Sequence, residues 1–170
     1  HTGQIAASML LGIASGSLVG HSETRQAGQQ GLELVAKEFF NLQKQNLNLV
    51  LCIGGSSSDP VQHKKQVDWE LRSALVALDE SSSSEITIGY EPVYAIGTGK
   101  VPRPEFLIEQ LSSIKKVLSD FNLNLKILYG GSINKNNAAE ILELGFDGLL
   151  VGSSSLNPEE LQKIGINMLA

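Results

Sequence analysis

One carboxylate stands where general-base chemistry would place it. The apolar run Ile86-Thr87-Ile88-Gly89-Tyr90 ends in Glu91; Pro92 follows, then a short apolar stretch, then Gly97-Thr98-Gly99-Lys100. An acid at the C-terminal tip of a strand, with a loop beyond it that can close, is placed to move a proton in a water-excluded site. Pro92 stiffens the entry to the loop. Gly97 and Gly99 let backbone N–H groups approach an anion closely. A Glu-Pro pair on its own is more simply a strand end running into a solvated loop, so the case rests on what the rest of the chain supplies.

Other apolar runs also end in polar residues. The first ends in Gly20-His21-Ser22-Glu23. His21 lies between a strand and a helix, with Ser22 in position to cap that helix. The partial positive charge of a helix N-terminus favours a neutral imidazole, which can donate a hydrogen bond to a carbonyl. A lone histidine is more often a satisfied surface or core residue. The second run ends in Leu51-Cys52-Ile53-Gly54, where the lone cysteine reads as a packing residue and not as a nucleophile. The fourth ends in Tyr129-Gly130-Gly131-Ser132 and the fifth in Leu150-Val151-Gly152-Ser153. Glycines followed by serine offer N–H groups and a hydroxyl to a phosphate, although each could equally be a tight turn.

The elements that must position these residues alternate. Five β-type runs, at 17–20, 47–53, 86–93, 125–130 and 147–152, are separated by helical patterns. Leu32, Val35, Ala36, Phe39 and Phe40 share one face; Val67, Leu71, Ala74, Leu75 and Leu78 share another. Phe106, Leu107, Gln110, Leu111 and Ile114 follow the glycine loop, and Ala138, Ile141 and Leu142 precede the last run. Such alternation predicts an α/β fold with a parallel sheet. Five strands suit a doubly wound sheet; a closed (β/α)8 barrel needs eight and about 250 residues. Periodicity leaves the two open. Serine runs at 56–58 and 81–84 read as loops.

Composition narrows the partners. The 170 residues form one domain, are 42% hydrophobic and 18% charged, and carry a net charge of −5. No basic cluster suggests nucleic acid, and no apolar run has the length of a membrane span. A single cysteine excludes an internal disulfide, which fits the cytoplasm.

Taken together, GHSE, LCIG, the eleven residues 90–100 (YEPVYAIGTGK), YGGS and LLVG, in this order and spacing, resemble the triosephosphate isomerase family across essentially the whole chain. The resemblance implies a (β/α)8 barrel of which this chain supplies about five βα units, residues 1–170 being its C-terminal part. It implies interconversion of dihydroxyacetone phosphate and glyceraldehyde 3-phosphate in glycolysis and gluconeogenesis, in the cytoplasm, with no cofactor and no metal. Glu91 would be the base and His21 the electrophile. Gly97, Ser132, Gly152 and Ser153 would bind the substrate phosphate; Ser22, Glu23 and Tyr129 would support the site.

The chain departs from the family pattern at several positions. Tyr94 stands where tryptophan is usual, Thr24 where arginine is, Gly55 where glutamate is, and Gln30 where an acid is common. Ser153 replaces a second glycine. Pro102 replaces a residue whose N–H would donate to the Tyr129 hydroxyl as a latch, and proline has no N–H. The family's Asn and Lys after the first strand have no counterpart here, and His1-Thr2-Gly3 looks like the end of the loop after the third strand. The expectation is therefore a fragment of a longer protein, forming a homodimer or pairing with the missing N-terminal segment. The alternative is a truncated, non-catalytic homologue that binds phosphate.

Overall fold

The computed structural model describes residues 5–28, 31–99 and 101–167. His1, Thr2, Gly3, Gln30 and Lys100, each singled out above, lie outside the described residues. Five strands alternate with helices: β1 (Gly16–Val19), α1 (Ser22–Gly28), α2 (Leu32–Lys44), β2 (Asn48–Ile53), α3 (Pro60–Leu75), β3 (Ile86–Tyr90), α4 (Pro104–Asp120), β4 (Lys126–Tyr129), α5 (Ala138–Glu143), β5 (Gly148–Leu149) and α6 (Pro158–Asn167). Short 3-10 turns occupy Ala7–Leu10, Val93–Ala95 and Ser153–Leu156. No helix among the described residues is long and apolar enough to cross a membrane.

The strands form a single sheet in the order β1-β2-β3-β4-β5, and every pair is parallel. This topology resolves the choice that periodicity left open. A doubly wound sheet reverses its strand order at a switch point. Here each strand bonds to its neighbour in sequence, as consecutive βα units of a barrel wall do. Among the described residues, β1 and β5 are each paired on one side only.

Register explains how distant segments meet. Ile53 pairs with Tyr90, Tyr90 with Tyr129, and Tyr129 with Leu149. Gly54, Glu91, Gly130 and Leu150 therefore emerge level at one edge. The ladder bonds continue one step beyond the strands: the Glu91 N–H donates to Ile53 O at 2.8 Å, Gly130 N–H to Tyr90 O at 2.8 Å and Leu150 N–H to Tyr129 O at 2.8 Å. Two rows below, Val19, Leu51, Ile88 and Ile127 lie side by side, all buried. Each such side chain stabilises the fold by roughly 1.5–3 kcal/mol.

Two strands stop three residues short of the ends of their apolar runs. β3 stops at Tyr90 because Pro92 has no N–H to continue the ladder, and Val93–Ala95 turns instead. β5 keeps only Gly148–Leu149 of the run at 147–152. The face expected on α2 is also shifted. Val35, Phe39, Leu42 and Gln43 are buried, whereas Phe40 is 38% exposed, because the stripe follows the spacing 35, 39, 42. α3 buries Val67, Leu71, Ala74 and Leu75 as its pattern predicts, and Asp59 caps it by accepting from the Gln62 N–H at 2.9 Å. α4 buries Leu107, Gln110, Leu111 and Ile114. The serine run at 81–84 is a loop tied to the end of α2, with the Ser82 hydroxyl donating to Gln43 O at 2.9 Å.

Helices α2 and α4 hand over to their strands in the same way. Asn46 and Asn122 adopt left-handed φ values of 52° and 57°. Leu47 N–H then reaches back to Leu42 O at 3.1 Å, and Leu123 N–H to Leu118 O at 2.9 Å, which terminates each helix. The two caps differ in one respect: the Asn46 side-chain oxygen also accepts from the Ser83 N–H and hydroxyl at 3.2 and 3.1 Å. Relief of the left-handed cost should therefore show only at the second cap. Asn122→Gly is expected to raise stability by about 0.5–1 kcal/mol in urea unfolding, while Asn46→Gly yields no gain. Equal gains at both positions would show that the bonds to Ser83 contribute nothing.

Candidate active site

Glu91 sits in a slot that only glycines can line. A Cβ on Gly54 would lie 1.6 Å from the Glu91 carbonyl oxygen, and one on Gly130 would lie 2.8 Å from Glu91 Cγ. The neighbouring strands thus press against both the backbone and the side chain of the acid, leaving it 4% exposed. Next to it, a Cβ on Gly131 would meet the Tyr129 hydroxyl at 2.2 Å. The glycine pair of YGGS is therefore needed for close packing, whatever else it binds.

His21 reaches the acid from β1. Gly20, at φ +69°, turns the chain out of the strand. The His21 Nε2 lies 3.1 Å from Glu91 Oε1. The other ring nitrogen, Nδ1, accepts from the Glu23 N–H at 3.4 Å. A nitrogen that accepts carries no proton, so Nε2 is the protonated nitrogen and donates toward the carboxylate. Glu23 thereby takes part through its backbone, while its side chain is exposed.

Ser22 is the first residue of α1 and not its cap. Ser22 is buried beside Glu91 instead, and its backbone N–H and hydroxyl favour the charged form of that carboxylate. Burial pushes the Glu91 carboxyl above its usual range, and the nearby His21, the two Ser22 donors and Arg25 oppose that rise. Cys52 is buried and its thiol is pushed up to about 12, first by burial and then by the Glu91 charge, so it packs and does not react.

A second, half-buried carboxylate holds the floor of the slot. Glu70 Oε2 accepts from the Gly54 N–H at 2.7 Å, while its Oε1 pairs with Arg25 Nη1 at 2.8 Å. Arg25 Nη2 in turn donates to Gly54 O at 3.4 Å. Both polar groups of Gly54 are thereby held by a single ion pair spanning α1 and α3. Sequence reasoning missed this clamp, because nothing in the spacing links Arg25 with Glu70. Arginine one position beyond Thr24 was the only available signal.

The residues expected to bind phosphate lie on three loops. Gly97 and Gly99 have φ of +71° and +70°, and a Cβ at either would meet nothing within 4 Å. The Ser132 hydroxyl donates to Ala95 O at 3.3 Å, joining the YGGS turn to the glycine loop. The Ser154 hydroxyl donates to Ile133 O at 2.7 Å, joining the last two loops beside exposed Gly152 and Ser153. Ser153 opens a 3-10 turn, and Asn46 and Asn122 are the non-glycine residues with positive φ among those described. Serine is therefore unstrained where the family has glycine. Tyr129 is buried and its hydroxyl has no hydrogen-bond partner among the described residues. Proline at 102 leaves no N–H there for it to meet.

The pH dependence of stability carries a sign. Glu91 has its folded pKa raised above the ordinary value of 4.5. Its favourable contribution is thus complete below about pH 4.5 and lost as pH rises through the folded value, so near neutrality the buried charge works against the fold. Glu91→Gln removes that charge at every pH. The stability of the variant relative to the parent, from denaturant unfolding, should be greatest near pH 7.5 and shrink as pH falls toward 4.5. A difference that stays flat or grows on acidification would contradict the burial argument.

The arrangement presents a water-shielded base and an N–H donor on one short stretch of sheet edge, with glycine and serine loops next to them. Comparison with known proteins agrees with this layout. The profile of the triosephosphate isomerase family matches residues 1–168. The triosephosphate isomerase of Lawsonia intracellularis is 36% identical over 171 residues, covering 96% of this chain and 68% of that protein. That of Nitratidesulfovibrio vulgaris is 37% identical over 179 residues, covering 96% and 69%, and that of Aquifex aeolicus is 34% identical over 171 residues, covering 96% and 69%. With a parallel sheet in barrel order and this breadth of similarity, the chain belongs to the triosephosphate isomerase family.

Proposed function

We propose that the complete protein interconverts dihydroxyacetone phosphate and D-glyceraldehyde 3-phosphate. The contact of 3.1 Å between His21 Nε2 and Glu91 Oε1 carries the reading. On binding, a substrate oxygen takes over the imidazole N–H, and the freed carboxylate faces the adjacent C–H. Glu91 removes that proton, and the electron pair flows into the carbonyl to give an enediolate. The His21 N–H stabilises the charge on oxygen as it develops. Glu91 then returns the proton to the neighbouring carbon, while the hydroxyl proton passes from the first oxygen to the second beside the His21 N–H, so that the first carbon becomes the carbonyl and the second the alcohol. Aldose and ketose differ only in the placement of two hydrogens, so the route needs no oxidant.

Burial makes the carboxylate a better base than an exposed glutamate, because charge is less well solvated there. The N–H groups and hydroxyls around Gly97, Ser132, Gly152 and Ser153 hold the phosphate. Closure of the glycine loop over them excludes water, which limits loss of phosphate from the enediolate. The resemblance places a phosphate-side lysine after a barrel's first strand, which is not among the five βα units of the described residues. The same reading implies a homodimer acting in the cytoplasm, in glycolysis and gluconeogenesis.

Glu91→Asp in the complete protein tests the assignment. Shortening the side chain by one methylene retracts the base, and turnover should fall on the order of a hundredfold, because proton abstraction depends on placement. Binding of phosphoglycolate should persist. Turnover near that of the parent would remove Glu91 from the role. A parent protein that binds phosphoglycolate but turns over no triose phosphate would instead support the non-catalytic homologue.

A further inference from the structure

His63 is fully buried on α3 and plays no part in the chemistry above. Its Nδ1 lies 3.1 Å from Ser57 O and its Nε2 lies 2.9 Å from the Tyr90 hydroxyl. A carbonyl oxygen can only accept, so Nδ1 carries the proton and Nε2 accepts from Tyr90. Burial lowers the His63 pKa, which keeps this neutral form at working pH. Tyr90 is the last residue of β3 and precedes Glu91 directly.

Both ends of the glycine loop converge on the same ring. Tyr94, at the entry to the loop, meets His63 edge-on with centroids 5.4 Å apart and planes at 88°. Phe106, just past the exit on α4, lies 5.2 Å from it at 63°. Tyr94 and Phe106 also touch each other edge-on at 6.2 Å. Edge-on ring pairs of this geometry add a directional preference to the area they bury. The departure at Gly55 meets the same ring. A Cβ there would lie 2.8 Å from His63 Nδ1, so the glycine makes the space that the imidazole fills. The Gly55 carbonyl accepts from the Val93 N–H at 3.1 Å, adding a backbone tie to the hinge. Tyr94 and Gly55, two separate departures from the family pattern, are thus both in contact with one histidine.

We propose that His63 is a positioning residue that ties both hinges of the glycine loop to the strand end carrying Glu91. The proposal deepens the isomerase reading and rests on it for its kinetic consequence. Through Tyr90 the imidazole fixes the direction in which β3 delivers the base. Through Tyr94 and Phe106 it sets where the loop leaves and rejoins the sheet. One side chain therefore keeps the loop in register with the acid it covers.

The test uses the complete protein and two variants that cut the same bond from opposite sides. His63→Asn retains a short amide near Ser57 but cannot reach Tyr90; Tyr90→Phe keeps the ring and loses the hydroxyl. Amide hydrogen exchange is read over residues 93–99 and, as a control, over β2. In both variants, exchange at 93–99 should rise about three- to tenfold with β2 unchanged, and kcat should fall about tenfold. His63→Gln, whose longer amide can accept from Tyr90, should restore both to within about twofold. Unchanged exchange at 93–99, or an equal rise across β2, would overturn the proposal, the latter by showing a general packing role. If one variant fails to fold, the other decides. Exchange is measured without substrate, so the hinge effect can hold even where the parent isomerises nothing, an outcome that would count against the isomerase reading alone.

Discussion

A carboxylate held away from water is the constraint around which this edge of the sheet is arranged. Glu91 can be buried because polar neighbours stand in for water: the Nε2–H of His21 at 3.1 Å, with the N–H and hydroxyl of Ser22 favouring the charged form. They do not cancel the cost, since burial still raises its pKa. That residual cost is what gives the group its basicity. The packing around it leaves little freedom to relax, with Gly54 and Gly130 in near contact on either side. Glu70 repeats the arrangement one layer away. It too is raised by burial, and it too is held, by Arg25 and the Gly54 N–H. One half-buried and one buried acid thus meet at one glycine, the first shaping the slot and the second occupying it.

The two described histidines are set in opposite tautomers by the backbone. At His21 a peptide N–H faces Nδ1 and sends the proton to Nε2, toward the acid. At His63 a peptide C=O faces Nδ1 and holds the proton there, leaving Nε2 to accept from Tyr90. One imidazole is left a donor at the sheet edge; the other becomes an acceptor beneath the hinge. Residue type alone does not separate these roles. The local backbone does: the first turn of helix α1 presents the deciding N–H to His21, and the loop before α3 presents the deciding C=O to His63.

Much of this was legible in the sequence, for identifiable reasons. Glu91 and His21 stand at the ends of strong apolar runs, so the edge that carries them could be read, although the runs at 86–93 and 147–152 overshot their strands by three residues. The order of the motifs favoured a barrel where periodicity alone allowed a doubly wound sheet. What escaped was long-range. The Arg25–Glu70 clamp and the His63 cluster join segments far apart in the chain and carry no local pattern. The burial of Phe39 over Phe40 was ambiguous because both fit a helical stripe, and only packing chose between them. The departures at Gly55 and Tyr94 were visible but unconnected until His63 was found between them.

The site depends on the imidazole facing Glu91 being a neutral donor through Nε2. Nitrogen-15 NMR of the protein labelled at histidine reads this directly. At pH 7 the His21 Nδ1 is predicted to resonate as an unprotonated, pyridine-type nitrogen and its Nε2 as a protonated, pyrrole-type one. A protonated Nδ1, whether in the other tautomer or in an imidazolium, would contradict the account, because the ring could not then accept from the Glu23 N–H while presenting a neutral donor to substrate.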